Sequence, residues 1–204
     1  MRLVMIPVCR KCQGIAVHPD LIYTIVRTPR QPGLLVVAKD RLLALERVLG
    51  SREEIEVVAE VPGSGLVGLG YRGIFATHTG GKTWSSFPNL SIIPATHVTS
   101  DSGTGLVHCA PAHGAEDYLA FRSQGLLGSG MLCHVDGEGK FSQCVTDVVP
   151  PELGGDALVG LEVLKGGSKA IVKILEGCGA LLAVERIKHR YPYDWKTNEP
   201  VIVT

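Results

Sequence analysis

Frequent glycine and proline keep the regular elements of this chain short. The 204 residues include 25 glycines and 12 prolines, residues that respectively permit tight turns and interrupt backbone hydrogen bonding. Aromatic residues make up only 5% of the chain, so its core must consist mainly of Val, Ile, Leu and Ala. No linker-like segment divides the sequence. We therefore expect a single α+β domain over residues 1–204, in which short strands alternate with short helices.

Hydrophobic periodicity indicates where several of these elements lie. Two runs rich in β-branched residues, Leu21–Thr28 and Leu34–Ala38, predict a hairpin-like pair of strands. Apolar residues at helical spacing predict helices at Lys39–Leu49, Glu116–Gln124 and Ser168–Val184. Glycines near the end of each helix are expected to terminate it or weaken it.

The composition excludes several classes of protein. Twenty basic and twenty acidic side chains leave no net charge, so contact with a nucleic acid is expected to be local. Apolar runs are too short for a membrane span, and no targeting segment is evident. The six cysteines are interpreted as reduced thiols in a cytosolic or organellar matrix compartment. Cys9 and Cys12 form a CxxC without a second pair, so no structural zinc site is predicted.

Reactive residue types concentrate between Val98 and Tyr118. Glycines on both sides of Thr104 predict a loop whose backbone approaches a ligand closely. In the strand that follows, alternation places His108 and Cys109 on opposite faces, so we expect them not to serve one pocket. Asp117 then falls in the first turn of a helix, where the helix dipole favours an ionised carboxylate that binds a cation.

Structural roles remain open for these residues. His108 is also compatible with a buried core histidine, and Asp117 with a helix cap. Inward packing of Cys109 argues against a thiol nucleophile. The stretch lacks the HExxH of zinc peptidases and the HxE with downstream PCxxC of nucleobase deaminases, so no catalytic metal is predicted.

Residues Gly103–Tyr118, GTGLVHCAPAHGAEDY, resemble the GTGxVHxAPxHGxxDY signature of one inserted domain. That domain is the editing domain of isoleucyl-tRNA synthetases of the bacterial or organellar type. The Val-His pair favours the isoleucyl branch over the related valyl and leucyl enzymes. Ala16–Asp20 and His189–Pro200 similarly resemble the entry to and the exit from the domain.

This resemblance implies a β-barrel-like core with peripheral short helices and a hydrolytic site that removes valine from isoleucine tRNA. Asp117 is implied to bind the α-ammonium group and His108 to form the wall that excludes isoleucine. The resemblance further implies that water attacks the ester with help from a ribose hydroxyl, and that no metal or cofactor is needed. The implied partners are the valine-bearing acceptor end of the tRNA and the synthetic core of the parent enzyme, in cytoplasm or mitochondrial matrix. The implied substrate-binding residues are Gly103, Thr104, Gly105, His113 and Gly114.

The sequence also departs from the family pattern. A threonine-rich TTTPWT strand with a nearby asparagine is expected before Ala16, but Leu3–Gln13 contains neither residue type, so the first strand (about 1–13) is divergent or truncated. The HIGH and KMSKS signatures are also missing, so ATP-dependent activation belongs to the full-length ligase. Two alternatives to an active hydrolase remain. One is an impaired fragment that binds the acceptor end or only stabilises its parent synthetase, and the other is an unrelated α+β protein.

Overall fold

In the computed structural model, the chain forms a mixed α+β fold with two separate sheets. Residues 1–13, including the predicted divergent strand and the CxxC, lie outside the part that the structure describes, as do residues 189–192 and 199 of the predicted exit segment. Among the described residues, no helix is both long enough and apolar enough to cross a bilayer. The structure describes residues 14–29, 31–50, 55–71, 73–77, 90–101, 103–127, 133–184, 193–198 and 200–202.

The first sheet has four strands and includes the middle of the signature, at Val107–Cys109. Its strands are β1 (Gly14–Val17), β5 (Gly70–Tyr71), β6 (Leu90–Pro94) and β7 (Val107–Cys109), in the order β5-β6-β1-β7. The central strand β1 runs parallel to β6 and antiparallel to β7. Helix α2 (Ala115–Ser123) packs against this sheet through Ala120 and Phe121, its two buried residues. It matches the helix predicted from periodicity to within one residue at each end.

The second sheet has three antiparallel strands. They are β2 (Ile22–Thr28), β3 (Gln31–Ala38) and β4 (Glu56–Pro62), in the order β3-β2-β4. The predicted pairing of the first two strands is confirmed. A 3-10 turn (Lys39–Arg41) and helix α1 (Leu42–Leu49) follow, and Gly50 ends the helix with a φ of +94°.

The C-terminal part is built mainly from short turns around its own apolar cluster. A π turn (Val163–Gly167) leads into helix α3 (Ser168–Gly177), which buries Ile171 and Leu175. This helix ends well before the predicted end at Val184, because Gly179 adopts a left-handed φ of +68° just after its C-cap. The remaining 3-10 turns are Gly63–Gly65, Ile74–Thr77, Gln143–Asp147, Pro151–Leu153 and Gly155–Leu158.

The predicted α+β class is confirmed, but the two sheets do not close into a barrel within the described ranges. They meet instead at the loop before β7. The N–H of Ala38, at the end of β3, donates to the carbonyl of Thr104 at 2.8 Å, and the buried Tyr23 hydroxyl donates to the carbonyl of Gly105 at 2.9 Å. Positive φ angles at Gly103 and Gly105 turn this segment away from extended pairing, so a few local contacts replace a continuous strand ladder.

Candidate functional site

The site begins where β7 ends and a tight turn leads into α2. The carbonyl of Ala110 accepts hydrogen bonds from the N–H groups of His113 (2.8 Å) and Gly114 (3.1 Å). Asp117, the third residue of α2, folds back so that its Oδ2 accepts the Ala110 N–H at 2.8 Å. The carboxylate therefore lies beside the strand end instead of capping its own helix, which has no side-chain cap.

Gly114 leaves the space that this carboxylate occupies. A Cβ at position 114 would lie 3.2 Å from Asp117 Oδ2, a closer approach than most side chains tolerate. His113, next to it, has its Nε2 3.7 Å from the sulfur of Cys133. The structure thus places Gly114 next to Asp117. The ring of His113 contacts Cys133, which lies outside the signature.

His97 is a site residue that sequence reasoning missed. Its Nε2 lies 3.3 Å from Asp117 Oδ1, and the two side chains are only 17% and 14% exposed. The contact is at ion-pair distance but lacks the alignment of a hydrogen bond. His97 lies in the loop after β6, and no motif or spacing in the sequence relates it to Asp117. Only the packing of α2 against the first sheet brings them together.

His108 is a half-buried residue on β7. Burial lowers the pKa of its imidazole below the ordinary value, and the negative charge of Asp117 only partly offsets this effect. Both ring nitrogens are buried, without a hydrogen-bond partner in the described part of the chain. At neutral pH the side chain therefore presents a neutral ring whose size, more than its charge, determines what fits beside it.

Cys109 follows His108 but packs into the core of the first sheet, with none of its surface exposed. Burial, and then the nearby charge of Asp117, raise the pKa of its thiol well above the ordinary value. A thiol held in its protonated form is a poor nucleophile. Alternation along β7 places His108 and Cys109 on opposite faces of the strand. The negative charge of Asp117 nevertheless raises the pKa of both side chains, because its carboxylate lies at the end of that strand.

The Gly103–Gly105 loop packs against the second sheet. Gly105 has a φ of +75°, and a Cβ there would lie 2.3 Å from Cβ of Ala38. Arg41 also donates to the carbonyl of Gly103 at 3.0 Å. We expected the backbone of this loop to approach a ligand closely. At Gly105 it instead approaches Ala38 of the second sheet. The assignment of Gly103, Thr104 and Gly105 to substrate binding stays a prediction.

A cavity of about 460 Å³ lies next to these residues, between the end of β6 and helix α2. His97 lines it and also contacts Asp117, whereas none of the predicted catalytic or substrate-binding residues is among its lining residues. The other lining residues are Pro19, Pro94, Ala95, Thr96, Glu116, Leu119, Ala120 and Ser123.

The arrangement is suited to binding a cation. The Asp117 carboxylate, held by a backbone donor and partly withdrawn from water, lies within 4.8 Å of the Cys109 sulfur, and its negative charge also acts on the His108 imidazole. Partial burial strengthens the attraction of Asp117 for a positive charge. An ammonium group or a metal ion is therefore the kind of partner that this site favours.

Comparison with known proteins identifies relatives of the sequence. No protein-family profile matches the chain. It is 36% identical over 190 residues to an isoleucine–tRNA ligase of Acaryochloris marina and 35% identical over 191 residues to the mitochondrial isoleucine–tRNA ligase of Gallus gallus. These alignments cover 93% and 94% of the chain but 17% of each relative. The chain thus spans about one sixth of the length of these relatives.

Solved structures show the fold. The chain is similar to the editing domains of the cytosolic leucyl-tRNA synthetases of P. falciparum and P. knowlesi, each with a TM-score of 0.56. Sequence identities are 14% and 12%, and the matches cover 86% of this chain and 76% and 80% of those domains. The sequence is thus related, over nearly its whole length, to one segment of the isoleucine–tRNA ligases, and the fold is that of an aminoacyl-tRNA synthetase editing domain.

Proposed function

We propose that the chain is the editing module of an isoleucine–tRNA ligase and hydrolyses valine that has been esterified to isoleucine tRNA. The observation that carries this proposal is the Asp117 carboxylate, which accepts the Ala110 N–H at 2.8 Å and whose negative charge acts on the imidazole of His108. A carboxylate and an adjacent uncharged wall meet two needs of such a site: recognition of an α-ammonium group and measurement of side-chain size.

The physical need for such a module is general. One methylene changes binding in an apolar pocket by only about 1–3 kcal/mol, and the discrimination of isoleucine from valine by this class of ligase is itself a standard example of that limit. A second site that accepts the smaller amino acid and excludes the larger one increases the overall discrimination between valine and isoleucine. His108 is proposed to provide that exclusion, because its side chain projects from β7 with both ring nitrogens buried.

The proposed hydrolysis uses bound water and the substrate's own groups. Asp117 holds the α-ammonium group, and Gly103, Thr104 and Gly105 lie near the terminal adenosine, with His113 and Gly114 lining the amino-acid end. Water attacks the ester carbonyl with help from an adjacent ribose hydroxyl, and the tRNA hydroxyl leaves. Since Cys109 is held protonated, no protein nucleophile is assigned.

The module is proposed to act within a longer ligase. Its partners are then the valine-bearing acceptor end of isoleucine tRNA and the synthetic core of the parent enzyme. The proposed editing reaction needs no cofactor, and ATP is used only by the full-length ligase. Because bacterial and mitochondrial ligases are both among the relatives, the proposed location is the cytoplasm or the mitochondrial matrix.

Asp117→Asn is expected to slow deacylation of valine-charged isoleucine tRNA by the 204-residue chain by roughly 10- to 100-fold. Asparagine keeps an oxygen that accepts the Ala110 N–H but removes the charge that binds ammonium. A hydrogen bond to a charged group is worth about 1.5–3 kcal/mol, and each 1.4 kcal/mol corresponds to about tenfold. The measurement is the release of labelled valine under single-turnover conditions.

Asp156→Asn is the matched control, since Asp156 is an exposed carboxylate in a 3-10 turn of the C-terminal part. We expect less than a twofold change in its rate. If the unmodified chain releases valine no faster than buffer, hydrolysis by this chain is excluded. The unusual Leu3–Gln13 segment then favours the alternative, an impaired module, and binding of uncharged isoleucine tRNA would distinguish acceptor-end binding from stabilisation of the parent enzyme.

His108→Ala is expected to allow hydrolysis of correctly charged isoleucyl-tRNA. Removing the ring opens space for one more methylene, so the preference for valine over isoleucine should fall by roughly 10-fold or more. Deacylation rates for both charged tRNAs measure the ratio. His108→Phe is the matched variant: it keeps ring bulk and should still exclude isoleucine. Equal ratios for the alanine variant and the unmodified chain would show that His108 does not set the size limit.

A further inference from the structure

Three metal-ligand side chains from three different elements converge beside the proposed amine site. They are His97, in the loop after β6, Cys109, at the end of β7, and Asp117, in the first turn of α2. Their Nε2, Sγ and carboxylate oxygen atoms all lie within 4.8 Å of one another, and the Nε2–Oδ1 distance is 3.3 Å. Zinc bonds of 2.0–2.3 Å in a tetrahedral site place ligand atoms on the order of 3.3–3.8 Å apart. The cluster therefore needs only a small contraction to surround one ion.

The donor types suit a transition metal better than magnesium or calcium. A thiolate and an imidazole are ligands that zinc prefers, whereas the two harder cations take oxygen ligands. The thiolate of Cys109 and the carboxylate of Asp117 together carry the two negative charges that balance a divalent ion. His97 Nε2 is buried and has no hydrogen-bond partner in the described ranges, so its lone pair is free for coordination in the neutral tautomer.

The surroundings already orient these ligands. The Ala110 N–H holds Asp117 Oδ2 at 2.8 Å and leaves Oδ1 turned toward His97. Such outer hydrogen bonds to ligating carboxylates are common features of metal sites. His97 and Asp117 keep 17% and 14% of their side-chain surface exposed, which provides an entry path for the ion and a position for a fourth ligand.

We propose that His97, Cys109 and Asp117 form a three-ligand site for a divalent transition metal, with Zn²⁺ as the ion that the donor set favours. Binding replaces the thiol proton of Cys109, which is released to solvent, by a metal–sulfur bond. The metal site stands independently of the editing function. A consequence rests on the proposed function: because Asp117 is also the proposed ligand of the substrate ammonium group, Zn²⁺ and substrate compete, and the metal inhibits deacylation.

Cobalt is the probe for the test, because a Co²⁺–thiolate bond produces a charge-transfer absorption that zinc lacks. The background is the 204-residue chain with Cys9→Ser and Cys12→Ser, which removes the CxxC outside the described ranges. After removal of metal with a chelator, we expect one equivalent of Co²⁺ to bind with this absorption and to be displaced by Zn²⁺. Adding Cys109→Ser should abolish the absorption, whereas Cys144→Ser, at a half-buried cysteine outside the cluster, should leave it intact.

His97→Gln provides a second test if the Cys109→Ser variant does not fold. We expect His97→Gln to weaken Co²⁺ binding by about tenfold or more, since changes even to outer-shell groups cost about 10- to 100-fold in affinity. The proposed site would be overturned if the Co²⁺–thiolate absorption persisted in Cys109→Ser. It would also be overturned if the background chain did not show this absorption. Unchanged affinity in His97→Gln would overturn it as well.

The competition is tested separately by deacylation of valine-charged isoleucine tRNA with and without Zn²⁺, each variant compared with its own metal-free rate. We expect Zn²⁺ to inhibit the background chain and to inhibit the His97→Gln variant only at about tenfold higher concentration. Cobalt binding without deacylation would count against the editing proposal alone. Deacylation without stoichiometric cobalt binding would count against the metal site alone.

Discussion

Phe121→Ala is expected to lower the free energy of unfolding by about 3–5 kcal/mol, the usual cost of removing a buried aromatic ring. Phe121 is 1% exposed and lies in the apolar cluster that includes Ala16, Ile93 and Val98. It is also the main anchor of α2, since only Ala120 and Phe121 of that helix are buried. Its ring reaches the central strand, where a Cβ at Gly14 would lie 3.0 Å from it.

Thermal unfolding of the 204-residue chain measures this effect. For a chain of this size each kcal/mol shifts Tm by about 2–4 °C, so a decrease of roughly 6–20 °C is expected. Tyr118→Ala is the matched control, because it removes an aromatic ring from the same helix at a position that is 37% exposed. We expect its unfolding free energy to fall by less than about 1 kcal/mol. Equal effects of the two substitutions would show that Phe121 does not anchor the helix.

Gly105→Ala is expected to cost about 2–5 kcal/mol, from two separate causes. The φ of +75° disfavours any residue with a Cβ, at about 1–2 kcal/mol. The new Cβ would also lie 2.3 Å from Cβ of Ala38, and overpacking of this kind costs typically 1–3 kcal/mol. The clash lies at the junction of the two sheets, next to the carbonyl that accepts the Tyr23 hydroxyl at 2.9 Å. Urea unfolding measures the loss.

Gly68→Ala separates the two causes. Gly68 also has a positive φ, +83°, but no atom lies within 4 Å of a Cβ built there. Gly68→Ala should therefore lower the free energy of unfolding only by the cost of the left-handed backbone conformation, about 1–2 kcal/mol. If Gly105→Ala costs no more than Gly68→Ala, the contact between the loop and β3 is looser than the structure indicates, and the role of Gly105 in joining the sheets is contradicted.

Phe121→Ala also bears on the proposed chemistry, because Phe121 anchors the helix that carries Asp117. The carboxylate is held from two sides, by the α2 backbone that carries it and by the Ala110 N–H at the strand end. Loss of the Phe121 anchor frees the first support. A decrease in amine binding without any change at Asp117 itself is therefore expected in Phe121→Ala at temperatures where the chain is still folded.

Much of the secondary structure could be predicted because it depends on local patterns. The strand pair β2–β3 and helix α2 match their predicted positions closely, since β-branched runs and helical spacing act over a few residues. Helix α3 was predicted too long, because Gly177 and Gly179 compete with an apolar pattern that continues past them. The absence of a closed barrel from the described ranges depends on how two sheet edges meet, which no local pattern records.

The site shows the same division. The family resemblance brought His108, Gly114 and Asp117 into one hypothesis, and the structure places Gly114 beside the Asp117 carboxylate. His97 was missed, and the Gly103–Gly105 loop proved to contact the second sheet.

The residues alone determined the chemistry that is available: a carboxylate at a helix start, an imidazole on the preceding strand and glycines where the chain must turn. These follow from interactions between near neighbours, so a linear pattern records them. Only the tertiary structure decided which partners each group meets, as when α2 packs on the first sheet and sets Asp117 beside both His97 and the buried Cys109. Such contacts depend on the shapes of surfaces that are distant along the chain, and their free energies arise only once those surfaces exclude water together.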